Sequence, residues 1–136
     1  MMQSRNGAAR YQTVRSHGQV ADASPARLVQ IMYEEVLTQL TIAQGCMARI
    51  SNNLPLNEIV AKGKAMSKAI RLINQLNGTL DMERGAQIAA NLRSLYVYML
   101  ARLTLANVTL DASIVGEVIM LVRKVKSGWD GIVESR

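Results

Sequence analysis

Four runs of apolar side chains follow one another along this chain, three of them at intervals of three and four residues and one, the second, on a stripe spaced by sevens, threes and fours, and each run is stopped within a few residues by a break. That spacing is the seam of an amphipathic helix lying nearly parallel to its neighbours, and no alternating strand pattern competes with it. The first run is Val29, Met32, Val36, Leu40, Ala43, Met47 and Ile50. Ser24-Pro25 opens it, because a serine hydroxyl can accept from an early unpaired N–H and proline lacks the N–H that would go unused at the next position. Ser51-Asn52-Asn53-Leu54-Pro55 ends it.

The second run, from about Asn57 to Leu80, has Ile59, Met66, Ile70, Ile73 and Leu80 on one stripe, widened by Ala65, Ala69, Leu72 and Leu76. The corner Asp81 to Gly85 follows, with Asp81 and Glu83 expected to cap the next helix. The third run is Ile88, Leu92, Leu95, Met99, Leu103, Ala106 and Leu110, with Asn107 to Asp111 read as the connection. The last is Val115, Val118, Val122, Val125, Trp129 and Ile132; its β-branched run Ile114, Val115, Val118 and Ile119 lowers intrinsic helicity, so packing must hold it. Short links between long helices force antiparallel neighbours. The expected fold is therefore all-α, an antiparallel up-down-up-down four-helix bundle over residues 25–133. Residues 1–24, rich in Gly, Ser, Arg and Gln, are expected to form a mobile N-terminal arm, on which Tyr11 and Val14 stand out at a spacing that shares one helical face.

Composition removes several classes of function. With 136 residues, 49% of them hydrophobic, the chain suits one domain with a real core. One cysteine, Cys46, excludes an internal disulfide and a cysteine-based zinc module. The sole histidine, His17, lies in the arm, so the inward histidines and carboxylates of a metal-binding bundle are missing and no metal or other cofactor is expected. No phosphate-binding glycine loop is present, Cys46 has no histidine to activate it, and enzymatic activity is not expected. Charges interrupt every apolar stretch before the roughly 20 residues a membrane span requires, so membrane insertion is not expected. No apolar block follows Arg5 and Arg10, so a secretory leader is not expected either, and the cytoplasm is the expected compartment.

Two features point to binding. Eight methionines with no phenylalanine suit an irregular core or an adaptable groove. The second and third helices carry more apolar width than one seam consumes, and Tyr96 and Tyr98 cannot both face inward, which leaves surface for another helix. A net charge of +6, with Lys62, Lys64, Lys68 and Arg71 on the second helix, offers an alternative class, a basic helical nucleic-acid-binding module. Those cations do not fall on one line and lack a stacking set or helix-turn-helix spacing, so no nucleic-acid partner is expected.

A resemblance narrows this further. Tyr11 and Val14, Ser24-Pro25, Leu28, Ile31-Met32-Tyr33-Glu34, Leu80-Asp81-x-Glu83-x-Gly85, Ile88-Ala89-x-Asn91-Leu92-x-x-Leu95-Tyr96-x-Tyr98-Met99, Arg102-Leu103, Ala106-Asn107, Asp111, Glu117-Val118 and Trp129 stand in the order and at the intervals of the flagellar secretion chaperones for flagellin. The chain resembles that family (FliS type) over nearly its whole length, most specifically from Asp81 to Asn107. One departure is Gly85-Ala86, where the family's corner usually has a glycine pair.

The resemblance implies a cytoplasmic helical bundle that is not an enzyme. It would bind the disordered C-terminal segment of flagellin in apolar grooves, prevent premature polymerisation, and deliver flagellin to the flagellar type III export gate. It implies that the N-terminal arm covers part of the groove, with Tyr11 as its key side chain. Carried over position by position, the flagellin-binding residues are Tyr11, Tyr33, Ile88, Asn91, Leu92, Leu95, Tyr96 and Met99. Half of these side chains must face the bundle core, and for Asn91 and Asn107 contact with the ligand backbone stands beside a role in tying helix ends. The free protein is expected to be a monomer or weak dimer.

Overall fold

Each of the four seams becomes a helix. The computed structural model describes residues 23–50, 55–81 and 85–134, and these form α1 (Pro25–Arg49), α2 (Leu56–Gly78), α3 (Ala86–Thr109) and α4 (Ala112–Glu134). At the start of α1 the Ser24 hydroxyl accepts from the Arg27 N–H at 3.1 Å and Pro25 occupies the first turn, as the sequence requires. The Asp111 carboxylate does the same work for α4, accepting from the N–H groups of Ser113 and Ile114. The link between α3 and α4 is therefore shorter than expected, because α3 continues through Asn107 to Thr109 and stops only where Leu110 takes a left-handed conformation, φ 56°.

The corner before α3 departs from expectation. Its N-cap is Gly85, which has no side chain to accept a hydrogen bond and sits in the left-handed region at φ 58°. Glu83 lies outside the described residues. Gly85 alone needs that conformation, and Ala86 is already helical, which explains why Ala is tolerated at the second position.

The helices form a ring in which α1 touches α2 and α4, and α3 touches α2 and α4. Cross-links fix the antiparallel order: Gln30 donates to Asp130 and Gln44 to the Ala112 carbonyl between α1 and α4, and Lys62 donates to Asn107 between α2 and α3. The sealed core runs through Val36, Leu40, Ala43, Met66, Ala69, Ile73, Met99, Leu103, Val115, Val118 and Val122. Ile114 and Ile119 are buried as well, so packing holds the β-branched helix in place.

The seams deviate in ways that matter for function. In α1, Tyr33 is buried while Val29 and Met32 are only partly covered. In α3 the inward positions are Ala89, Tyr96, Met99, Leu103 and Ala106, so Ile88 of the expected stripe is 68% exposed and Leu95 is only half-buried. At the far end Ile132 is exposed and does not continue the α4 seam. The cause in α3 is visible in its composition: it is apolar around its whole circumference, with Ile88, Val97, Leu105 and Val108 outside, so periodicity alone could not fix its rotation. Among the described residues no helix is long and apolar enough to cross a membrane.

Candidate functional site

At the end of the bundle where α1 begins, α2 ends and α3 begins, the seams run past the point at which they can seal one another. The result is an open, predominantly apolar cavity of about 640 Å³. Val29, Met32 and Tyr33 of α1 form one wall, Leu76 of α2 with Leu80 just beyond its end a second, and Ile88, Leu92 and Tyr96 of α3 a third; Trp129 of α4 closes a corner. These are core-type side chains over which, among the described residues, the fourth helix reaches only with Trp129.

The floor is polar at one point. The hydroxyls of Tyr33 and Tyr96, both 2% exposed, meet at 2.5 Å and join α1 to α3, two helices that face each other across the ring. Burial is the main influence on both phenols and pushes each above its ordinary value, so both stay neutral in the folded state. Below them the core is closed by Val36, Leu40, Met99 and Leu103. The rim is held on the α4 side by charge and hydrogen bonds: the Trp129 indole N–H donates to the Ala26 carbonyl at 2.9 Å, and Asp130 accepts from Gln30 at 2.7 Å and Lys126 at 2.6 Å. The Lys126 and Gln30 contacts hold the Asp130 carboxyl below the usual carboxylate range.

The expected binding residues divide. Tyr33, Ile88, Leu92 and Tyr96 come together on the cavity. Asn91 and Leu95 lie off it: Asn91 is exposed and accepts from Gln87 at 3.0 Å, and Leu95 packs half-buried against the core. Met99 belongs to the sealed core at 1% exposure. Tyr11 is outside the described residues, as are Val14 and His17. Asn107 ties helix ends together through the Lys62 ammonium at 2.7 Å. Val29, Met32, Leu76, Leu80 and Trp129 line the cavity without having been singled out as binding residues. Their signal in the sequence was present: each continues a seam toward one end of the bundle, but only the assembled ring shows that this end is open.

The basic face of α2 is smaller than its sequence suggests. Lys62 is buried on Asn107, and Lys68 pairs with Glu35 at 3.2 Å, which leaves Lys64 and Arg71 as the exposed pair of the four. Tyr98 faces outward and donates to Glu117, which also takes Arg102 at 2.9 Å; both contacts hold the Glu117 carboxyl below its usual range. Cys46 is buried near Arg49 and Glu58, and burial chiefly pushes its thiol up, away from the thiolate a nucleophile needs. Among the described residues no three His, Cys, Asp or Glu side chains cluster as metal ligands.

The family model for the flagellar protein FliS matches residues 7–136, which includes every wall of the cavity. The chain belongs to the FliS family. Among its curated relatives, the flagellar secretion chaperone FliSB of Pseudomonas aeruginosa is 45% identical over 122 residues, spanning 90% of this chain and 91% of that protein. The flagellar secretion chaperone FliS of Salmonella typhimurium is 36% identical over 132 residues, 96% of this chain and 93% of its own length. That of Bacillus subtilis is 27% identical over 123 residues, 90% and 86% of the two chains. FliS family membership supports a flagellar export chaperone role.

Proposed function

We propose that this chain is a cytoplasmic export chaperone that binds the disordered C-terminal segment of flagellin, keeps it from polymerising, and delivers it to the flagellar type III export gate. The observation that carries the reading is the open apolar cavity between α1, α2 and α3, with a sealed core beneath it. A segment that buries itself in a filament exposes a sticky apolar stripe while it is monomeric. It gains by folding as a helix against Val29, Met32, Leu80, Ile88 and Leu92. The exposed apolar side chains of α3, Val97, Leu105 and Val108, offer a path beyond the cavity for the rest of such a segment. Ordering a disordered client costs several kcal/mol of the gross contact energy, so a large surface is needed for tight yet reversible binding.

The helix α1, which residues 1–24 precede in the sequence, begins at the cavity's edge, where Pro25 and Leu28 are part of the lining. We assign residues 1–24 the role of a cap over the empty cavity, with Tyr11 as its anchor or as a direct contact to flagellin. Asn91, Leu95 and Met99 act less directly, the first two at the margin and Met99 by supporting the floor. Binding without catalysis suffices for all of this, and a monomer or weak dimer has the whole site. The nucleic-acid alternative draws less support, since half of the α2 cations are occupied within the fold.

The test is co-elution. Purified chain mixed with flagellin should form a soluble stoichiometric complex, and deleting flagellin's C-terminal segment should abolish it; tail-less flagellin binding with undiminished affinity would refute the proposal.

A further inference from the structure

Two phenolic hydroxyls carry two protons, and one mutual hydrogen bond uses one of them. Among the described residues the only partner of the Tyr33 hydroxyl is that of Tyr96, and the reverse. Whichever tyrosine accepts therefore keeps an O–H that has no acceptor among the described residues. A client that covers the pair without accepting that proton buries a donor unpaired, which is costly. Both residues line the cavity, and of Val29, Met32, Leu76 and Leu92 in the same lining only the Met32 thioether has an acceptor, a weak one.

We infer that the Tyr33–Tyr96 pair is a register mark for the client: its second O–H donates to one oxygen of the bound segment, a backbone carbonyl or a side-chain amide or hydroxyl. The inference rests on the proposed flagellin reading and deepens it. Apolar walls hold a greasy helix but tolerate sliding, since one methyl is much like the next. A single donor on the floor rewards one alignment of a bound segment and penalises the others, because any register that covers it without an acceptor leaves the proton buried and unpaired. Burial raises both phenols, so at neutral pH the mark is a neutral donor that does not demand a cationic client residue.

The experiment uses the full chain and a synthetic peptide of flagellin's C-terminal segment, titrated calorimetrically against wild type and the double variant Tyr33→Phe/Tyr96→Phe. Replacing both partners by isosteres of similar shape leaves no orphaned polar group, so the free protein should melt at or above the wild-type temperature. Affinity should nevertheless fall roughly 5- to 30-fold, the loss of one buried hydrogen bond. A purely structural pair would move the two readouts together. In the wild-type complex, NMR should detect a tyrosine hydroxyl proton protected from solvent exchange that the free protein lacks, a measurement independent of how the variant folds. Wild-type affinity in the double variant, or no newly protected hydroxyl proton in the complex, would overturn the inference while leaving the flagellin reading intact. Failure of wild type to bind the peptide would remove both.

Discussion

Ile88→Ala separates binding from folding, because this side chain is 68% exposed in the free protein yet stands on the cavity wall. Fully burying an isoleucine is worth about 1.5–3 kcal/mol. The exposed share, which a docked segment would newly cover, is then about 1–2 kcal/mol, and alanine retains only a fraction of it. The expected loss is about 0.8–1.5 kcal/mol of binding, a roughly four- to twelvefold weaker complex. Folding should barely change: an exposed helical position that loses β-branching gains a few tenths of a kcal/mol in propensity and loses little burial. Trp129, the only tryptophan of the chain, lines the same cavity and reports occupancy without a label, so titration with flagellin's C-terminal segment can be followed by its emission. The contrast is Met99→Ala, which should cost about 2–5 kcal/mol of stability by opening a void in the core. An Ile88→Ala protein that binds as tightly as wild type would refute the argument that the cavity wall is the docking surface.

Tyr11→Ala should weaken the complex or its export with helicity by circular dichroism unchanged; intact affinity and motility would remove the role of the arm. Leu110→Gly should stabilise the fold by about 1 kcal/mol, since Leu110 holds φ 56° at the end of α3, where glycine has no Cβ penalty, and thermal melts should rise by a few degrees. Two pH limbs follow from linkage. Asp111, Glu117, Asp130 and Glu58 all have lowered pKa values, so their stabilisation is present above the unfolded carboxylate range and is lost as pH falls through their folded values. Tyr33 and Tyr96 are raised, so stability is retained below about pH 10 and declines above it as the unfolded phenols ionise first; Tyr33→Phe/Tyr96→Phe should flatten that alkaline limb in chemical denaturation.

The sequence by itself determined the helices, the cap at Ser24, and their antiparallel order, because each of these depends on interactions among near neighbours in the chain. It also determined that apolar width was left over, and it brought forward Tyr33, Ile88, Leu92 and Tyr96 through the resemblance that the family match bears out. The tertiary structure alone decided how α3 is rotated. A helix with apolar residues on every side has no preferred inward face of its own, and only its neighbours turn Ala89 and Tyr96 in, leave Ile88 out, and put Met99 in the core. Only the assembled ring, too, could reveal that the seams outrun their partners at one end. An opening is a property of three helix ends and a tryptophan a hundred residues from the first of them, joined by Trp129 and Ala26 across the rim. No local pattern encodes what fails to meet in space.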